Sequence, residues 1–556
     1  MANAVPRLAE GRPQSTIVID CEGLTLVQAA AIAMGERSVA LSAAVRDRMD
    51  AARWRLDAAV ESGRPIYGVS TGFGPLAGRA VPVDAEPRES SDAARSSALQ
   101  TGLVYHLATG VGPSLDWVTA RAVVVARLSA LARGYSGASE GLIGRLVALL
   151  NAPVAPAVPS KGTVGASGDL TPLAHVALAL MGEGRFIDHD GALLGDAEAF
   201  AQMRSGPLAM TSRDGLALVN GTAAMTGIAA LNAIRAARLL AWQVRLSFAF
   251  SEILGGRREA LHPALARARP HPGQIAVTDT LAVLAARSAR LRDTAMPQEG
   301  AHQPEAPPEP LQDAYTLRCV PQVLGAVADT LRFHDDLVER ELNGVSDNPI
   351  FPAETAPHAV HGGNFMGQHV AAASDALSTA VVTMAGLAER QVARLTDERL
   401  NGGLPPFLCR GIAGAESGLM GAQVTATALL AEMRTRSVPA SIQSISTNGA
   451  NQDVVSMGTI AARNGAAQIT DASRILAILA LAVAQGIDIV GEDGFAPESG
   501  ALQAAVRRLS PPLLADRPLA EEIEALADHL LASDPPALAN AAVVPVMAAD
   551  SPIRPV

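Results

Sequence analysis

Long stretches rich in alanine and leucine constrain the fold of this chain more than any other feature. Helical patterns extend over 218–254, 321–343, 368–400, 417–436 and 449–486. Within the third stretch, apolar residues recur at spacings that a helix places on one side: Leu377, Val381, Met384, Leu387 and Leu395. Helices this long are usually stabilised by packing against other helices, including those of neighbouring subunits. The sequence therefore predicts a mainly α-helical bundle.

The composition agrees with helices and argues against several functions. Hydrophobic residues make up 49% of the chain but aromatic residues only 3%, so small aliphatic side chains must fill the core. Alanine and leucine are strong helix formers and lack the β-branching that strands favour. The net charge of −11, without a basic stripe, argues against nucleic acid as a partner.

The cysteines and the apolar runs indicate the compartment. Cys21, Cys319 and Cys409 are odd in number and far apart, which argues against a disulfide framework or a structural zinc site. The N-terminus has no apolar region typical of a secretory signal. The strongest apolar run, 475–487, is shorter than the roughly 18 residues that a membrane span needs. We expect a cytoplasmic protein without metal or membrane.

Changes in composition suggest four regions: a flexible N-terminus 1–24, an N-terminal domain 25–215, a central long-helix bundle 216–500, and C-terminal helices and tail 501–556. The polar stretch 79–95 is expected to be an exposed loop. Residues 296–312 and 361–367 are expected to be irregular, and the tail from 534 to follow the surface.

A glycine-rich stretch, "PSKGTVGASGDLTPLAH" at 159–175, fits none of the common glycine loops. A serine nucleophile elbow requires glycine two residues after Ser167, where Asp169 stands. A phosphate loop requires a lysine after the glycines, whereas Lys161 precedes them. The prolines ahead of the stretch exclude the strand that a Rossmann fingerprint requires. Another chemistry must therefore be considered.

A tight bend at Ala166-Ser167-Gly168 would bring the amide nitrogen of Gly168 to the carbonyl carbon of Ala166. Attack there closes a five-membered ring, and a glycine nitrogen is the least hindered for it. Loss of water would turn the serine side chain into a methylidene, an electrophile that the twenty side chains do not offer. The alternative is a glycine-rich turn that caps the next helix through Asp169 or Thr171. These residues alone leave both interpretations open.

The segment "GTVGASGDLTPLAH" resembles the signature of the aromatic amino acid ammonia-lyases, the family of histidine, phenylalanine and tyrosine ammonia-lyases and related aminomutases. In that family the triplet cyclises autocatalytically to 4-methylidene-imidazol-5-one (MIO). The resemblance extends from about residue 25 to 530. It implies a long-helix bundle of the ammonia-lyase/fumarase-like type with a smaller N-terminal domain bearing the MIO. It also implies a homotetramer whose active sites each draw on three subunits.

Two further motifs supply residues beside the reacting centre. In "YGVSTGFGPLA" (67–77), Tyr67 matches the family's base for the β-proton, and Gly74 belongs to the same mobile lid loop. To act as a base, the phenolate of Tyr67 would need nearby positive charge or helix N-termini. In "VNGTAAMTG" (219–227), Asn220 matches an asparagine beside the MIO, where an amide can hold the ring oxygen. Alone, these would be a packed tyrosine and a satisfied core amide.

The remaining motifs supply substrate-binding residues by resemblance. "LQDAYTLRC" (311–319) contains Gln312, Tyr315 as the second active-site tyrosine, and Arg318 as the carboxylate clamp, for which a bidentate guanidinium is well shaped. Pocket residues of the family align with a further set: Asn348, Phe365, Asn448 and Gln452. They would position the carboxylate, flank the MIO and line the side-chain pocket. Alone, Arg318 would be read as a salt-bridged residue and the others as loop or cap residues.

The segment "LQTGLVYHLATGVG" (99–112) bears on which amino acid is bound. Histidine lyases of the family typically show Ser-His at the columns of His106 and Leu107, and phenylalanine lyases show Phe-Leu. His-Leu is similar to the tyrosine-selective pattern, and a histidine can hydrogen-bond a phenol where an apolar residue cannot. In the alternative, His106 faces away and Tyr105 points in.

The resemblance thus implies a carbon–nitrogen lyase that converts L-tyrosine to trans-p-coumarate and ammonia, most similar to bacterial tyrosine-selective members. Mixed phenylalanine/tyrosine activity, histidine ammonia-lyase and tyrosine aminomutase remain alternatives within the family. A pyridoxal-phosphate (PLP) enzyme would need a Schiff-base lysine, and Lys161, the only lysine, lacks a phosphate cup. In a non-catalytic helical scaffold the triplet would stay uncyclised, whereas MIO formation removes two waters.

Overall fold

The computed structural model describes residues 15–78, 92–293, 312–412 and 414–538. Residues 79–91 of the expected loop 79–95, residues 296–311 of the expected irregular stretch 296–312, the first fourteen residues and the tail beyond 538 lie outside these ranges. Residues 92–95 are helical rather than part of a loop. The helices are α1 Leu26–Ala33, α2 Ala43–Glu61, α3 Asp92–Leu107, α4 Trp117–Ala132, α5 Glu140–Leu150, α6 Leu170–Met181, α7 Asp196–Met203, α8 Asp214–Val219, α9 Ala223–Ile253, α10 Pro263–Ala268, α11 Pro272–Ala285, α12 Tyr315–Arg318, α13 Val320–Leu342, α14 Gln368–Thr396, α15 Met420–Thr435, α16 Gly458–Val490, α17 Pro497–Arg507 and α18 Ala520–Ala532. The predicted mainly α-helical fold is confirmed.

Within the described ranges, the strands are short and belong to three small sheets. They are β1 Thr16–Ile19, β2 Ser38–Leu41, β3 Val111–Ser114, β4 Ala155–Pro156, β5 Pro159–Lys161, β6 Phe186–Ile187 and β7 Leu193–Leu194. β1 and β2 are parallel, β3 and β5 are antiparallel, and β4, β6 and β7 form an antiparallel sheet. The pairing of β1 corrects the expected flexible N-terminus, because Thr16–Ile19 are hydrogen-bonded and Leu24 is buried.

Four long helices, α9, α13, α14 and α16, pack together at the centre, with α11 and α15 beside them. The apolar stripe predicted on α14 is buried along its length, as expected for a helix inside a bundle. One apolar cluster lies mainly between Ile19 and Ile234, and a second lies between Ala236 and Leu538. The two clusters thus meet within α9. The domain boundary at 215/216 remains a prediction.

Two of the predicted long helices have different bounds. The stretch 218–254 is interrupted at Asn220-Gly221-Thr222, which separates α8 from α9. A Cβ on Gly221 would lie 2.2 Å from Nη1 of Arg127 and 2.3 Å from the carbonyl oxygen of Ser346, so a side chain does not fit. The stretch 449–486 becomes helical only at Gly458, because residues with left-handed backbone precede it: Asn448, Gly449, Ala450 and Met457.

Among the described residues, α14 and α16 are long and apolar enough to cross a membrane by length and composition alone. The apolar run 475–487 is part of α16, whose apolar stretch is longer than the run alone. In the fold, 61% and 78% of the most apolar windows of α14 and α16 are buried, and the two helices pack against each other. Both occupy the positions of core helices.

Helices α4 and α9 can pack closely because residue 227 is a glycine. A Cβ on Gly227 would lie 2.6 Å from the carbonyl carbon of Ala122 and 2.7 Å from the amide nitrogen of Val123. We expect Gly227→Ala to lower the free energy of unfolding by about 2–3 kcal/mol, because α9 would have to move off α4. Gly144→Ala, on the exposed face of α5 with no atom near its Cβ, is the matched control and should stabilise by about 0.5–1 kcal/mol. Thermal unfolding at one scan rate measures both, and equal midpoints for the two variants would contradict this packing.

Candidate active site

The Ala166-Ser167-Gly168 triplet lies against the break between α8 and α9. Gly168 has a φ of +71°, and a Cβ there would lie 2.2 Å from the carbonyl oxygen of Gly221. The next amide, that of Asp169, donates a hydrogen bond to the same oxygen at 2.7 Å. Only glycine permits this approach at position 168. Ser167 lies in a turn between Ala166 and Gly168, which pair with each other.

Two side-chain amides converge on the oxygens of Ser167. Nδ2 of Asn220 donates to its carbonyl oxygen at 3.0 Å, and Nε2 of Gln452 donates to its hydroxyl at 3.0 Å. Thr447 fixes the orientation of Gln452 by donating to its Oε1 at 2.9 Å. Oδ1 of Asn220 is buried and has no hydrogen-bond partner among the described residues. Both of these sequence-predicted residues are thus placed at the triplet.

Asp169 connects the triplet to the two longest helices. Its carboxylate accepts hydrogen bonds from the amide of Met225 at 2.7 Å and from the hydroxyl of Thr459. Burial raises the pKa of Asp169 to about 6, although these hydrogen bonds oppose the shift. The side chain does not cap α6, so that alternative is wrong for Asp169. The sequence analysis did not predict that Asp169 anchors the triplet to α9 and α16. The available signal was a single carboxylate directly before an apolar helix.

Two hydrogen bonds hold Tyr67, and a third holds the next residue of the lid loop. The hydroxyl of Tyr67 accepts a hydrogen bond from the amide of Gly74 at 2.8 Å, and its own amide donates to Nε2 of His361 at 3.2 Å. The carbonyl oxygen of the following residue, Gly68, accepts from Nε2 of Gln100 at 2.9 Å. Gly74 is thus in direct contact with the side chain it was predicted to accompany.

The aromatic ring of Phe73 lies between those of Tyr67 and His106. Its centroid is 6.1 Å from that of Tyr67, edge to face, and 6.5 Å from that of His106. The hydroxyl of Tyr105 instead bonds Glu183, which raises the pKa of Tyr105. Leu107 packs against the apolar core. His106 therefore lies beside the lid, whereas Tyr105 is directed toward Glu183. Which of the two contacts the substrate ring stays a prediction.

Sequence reasoning also missed Phe73. In a chain with so few aromatic residues, its position between two lid glycines was the available signal.

The turn at 447–452 joins the lid to the triplet. A Cβ on Gly74 would lie 2.7 Å from Nδ2 of Asn448, so the lid packs directly on that side chain. Thr447 and Gln452 pair across the turn, and Gln452 reaches Ser167. The lid tyrosine, the turn and the triplet of a single chain thus form one cluster.

Asn348 and Phe365 lie on the segment that borders this cluster. Oδ1 of Asn348 accepts from the amide of Gly362 at 2.8 Å. Phe365 is half-buried, and a Cβ on the nearby Gly367 would overlap Sδ of Met225. The segment therefore runs beside the start of α9, where the triplet is anchored.

The other predicted residues form a separate cluster. Nη1 of Arg318 donates to Oε1 of Gln312 at 2.5 Å, and its guanidinium lies 4.8 Å from the ring centroid of Tyr315. The side chain of Tyr315 is 70% exposed. Within the ranges that the structure describes, no hydrogen bond or ring contact joins these residues to Ser167. The same ranges hold no group of three or more metal-ligating side chains.

Comparison with known proteins agrees with this site. The family model for aromatic amino acid lyases matches residues 24–509, and the chain belongs to that family. It is 54% identical to a tyrosine ammonia-lyase of Cereibacter sphaeroides, over 95% of this chain and 100% of that one. It is 41% identical to a tyrosine ammonia-lyase of Cupriavidus metallidurans, over 92% and 95%.

A solved structure shares the fold over nearly the whole chain. The crystal structure of a tyrosine aminomutase from Streptomyces globisporus matches with a TM-score of 0.85 and 37% identity, over 93% of this chain and 97% of that one. The predicted family and the fold class of the MIO lyases and aminomutases are therefore confirmed.

Proposed function

We propose that the protein is a tyrosine ammonia-lyase, which converts L-tyrosine to trans-p-coumarate and ammonia. Carbon–nitrogen lyase activity follows from the family. The 54% identity to a tyrosine ammonia-lyase carries the choice of substrate, since the histidine ammonia-lyases it resembles reach 39–40%. The position of His106 on the lid side of α3 supports it, because an imidazole there can hydrogen-bond a phenol.

The residues around the triplet fit an MIO group. Its ring oxygen would be the carbonyl oxygen of Ser167, which already accepts from Asn220. The bare Cα of Gly168 leaves its nitrogen unhindered, and the buried Oδ1 of Asn220 has no other described partner. When formed, the group supplies an electrophile that takes up electrons as the carbon–nitrogen bond breaks.

The chain's own residues would bind the substrate and move its proton. Tyr67 would accept the β-proton, with its oxygen held by the Gly74 amide. Arg318, with Asn348, would bind the substrate carboxylate, and His106 the phenol. Leu107, Phe365, Gln312 and Asn448 would shape the pocket, and Tyr315 would complete the reacting centre. No pyridoxal phosphate or metal has a role in this scheme.

The division into two clusters supports shared active sites in a homotetramer. Tyr315 is exposed, and its cluster with Arg318 makes no described contact with the triplet, as expected if it completes a neighbour's site. Large apolar side chains are also exposed before and after the 447–452 turn: Val438, Ile442, Ile445 and Val454. Such a patch is typical of subunit contacts. We propose a cytoplasmic assembly of this kind.

A substrate panel tests the proposed activity. Purified protein with L-tyrosine, L-phenylalanine or L-histidine should form coumarate at least about tenfold faster than cinnamate, because His106 can hydrogen-bond the phenol that phenylalanine lacks. We expect no urocanate, because identity to the tyrosine ammonia-lyase exceeds identity to the histidine ammonia-lyases. His106→Leu should reduce that preference, because it leaves the phenol unpaired. Chromatography for β-tyrosine tests the aminomutase alternative, which 39% identity to a tyrosine 2,3-aminomutase keeps open. Dominant cinnamate or urocanate would contradict the proposal.

Complementation tests the shared site. Tyr67→Phe and Arg318→Ala are each expected to be nearly inactive. If Tyr67 and Arg318 come from different chains, co-expression should restore activity, because about a quarter of randomly assembled sites would contain neither substitution.

The matched control combines Tyr67→Phe with Ser167→Ala. These residues lie in one cluster of one chain, so this pair should restore nothing. No recovery with the first pair, in mixed tetramers verified by two affinity tags, would contradict the shared site.

A further inference from the structure

We propose that His361 is a positioning residue whose neutral imidazole holds the backbone of Tyr67, and with it the lid, over the triplet. The inference rests on the proposed function only in taking Tyr67 as the base. The contact itself, from the Tyr67 amide to Nε2 of His361 at 3.2 Å, is a property of this chain.

The hydrogen bond specifies the protonation state of the ring. Nε2 must offer a lone pair to the Tyr67 amide, so the imidazole is neutral with its proton on Nδ1. An imidazolium has donors at both nitrogens and would face the amide donor without an acceptor. Protonation of His361 would therefore release this point of attachment.

Hydrogen bonds hold the backbone on both sides of His361, and they lead back to the buried pair of Arg213 and Asp347. Arg213 pairs with Asp347 through two contacts of 2.9 Å, and Asp347 accepts from the amide of Asn348 at 2.7 Å. Asn348 then accepts from the amide of Gly362, the residue after the histidine. On the other side, Val360 pairs with Ile350 through two backbone hydrogen bonds of 2.9 and 3.0 Å. The backbone that carries the imidazole is thus held by hydrogen bonds at both neighbouring residues.

The base of the lid rests on the same backbone through apolar contacts. Ile66 and Val69, which flank Tyr67, pack in one cluster with Phe351 and Ala359. These apolar contacts hold the segment in place but do not set the orientation of any peptide group. The hydrogen bond to His361 sets the orientation of the Tyr67 peptide group, because hydrogen bonds are directional.

The charges around the ring favour its neutral form. Burial, and then the positive charge of Arg213, lower the pKa of His361 below its ordinary value. Asp347, the nearest carboxylate of the network, is already paired with Arg213 and lies 3.9 Å from Arg127. The phenol of Tyr67 is turned toward Gly74. With a lowered pKa the ring is mainly neutral at neutral pH, and the hydrogen bond to the Tyr67 amide is lost as the pH falls through that pKa.

Three variants separate positioning from general structure. His361→Gln keeps an acceptor near Nε2 that does not titrate, and His361→Ala removes the acceptor. His358→Gln is the matched control, since its exposed ring lies in the same segment and makes no hydrogen bond within the described residues. Coumarate formation by the wild type and a triplet lighter by two waters are verified first, so failure of the proposed function is recognised separately.

We expect kcat for His361→Ala to fall about tenfold at pH 8 with little change in KM, because one orienting hydrogen bond is lost. His361→Gln should keep most of kcat at pH 8 and lose the acid-side inflection of the wild-type pH profile. His358→Gln should match the wild type. Hydrogen exchange of the 65–72 backbone should be faster only in His361→Ala, and this readout does not depend on turnover.

Either of two results would overturn the inference. One is His361→Ala with wild-type kcat and wild-type exchange at 65–72. The other is an unchanged acid-side inflection in His361→Gln. If His361→Ala fails to assemble, the pH profile of His361→Gln decides alone.

Discussion

The rest of the site depends on the buried carboxylate of Asp169, which lies between the first turns of α9 and α16. Hydrogen bonds from Met225 and Thr459 satisfy it there, at helix ends whose unpaired amides and dipoles favour negative charge. A carboxylate that is buried without such donors would be strongly destabilising. Because Asp169 directly follows the triplet, this anchoring places Ser167 between Asn220 and Gln452.

A second constraint is the interruption between α8 and α9. The helix is interrupted at Asn220 and Gly221, where Gly221 packs against Arg127 and Ser346. The carbonyl oxygen of Gly221 then accepts a hydrogen bond from the amide of Asp169. A continuous helix would have hydrogen-bonded that carbonyl internally. This interruption, which the sequence periodicity did not predict, therefore provides the hydrogen-bond acceptor that holds the triplet. The lid reaches the same place through Gly74 and Asn448.

Much of this organisation could be predicted from the sequence. Periodic alanine and leucine gave α13, α14 and α15 within a few residues, because their apolar stripes face a large core. The family motifs located Tyr67, Asn220 and Gln452, which the structure brings together in one chain. The roles of Arg318, Tyr315 and Gln312 remain predictions, because no hydrogen bond or ring contact within the described residues joins their cluster to the triplet of the same chain.

What sequence reasoning missed depends on tertiary contacts. Phe73 contacts the ring of Tyr67 edge to face, and His361 bonds its amide from a segment nearly 300 residues away. Neither contact leaves a local pattern in the sequence. The start of α16 was misplaced because alanine and glycine at 449–450 look compatible with a helix, whereas the Thr447–Gln452 turn requires left-handed backbone there. β1 was missed because four residues give little periodicity and its partner lies beyond α1.

The most direct test of the account is the mass of the peptide that carries residues 162–169, measured in purified wild type and in Ser167→Ala. The account predicts that the wild-type peptide is lighter by two waters than its sequence requires and that the variant peptide has lost no water from residue 167. A wild-type peptide of unmodified mass would contradict the cyclised triplet, and with it the proposed chemistry.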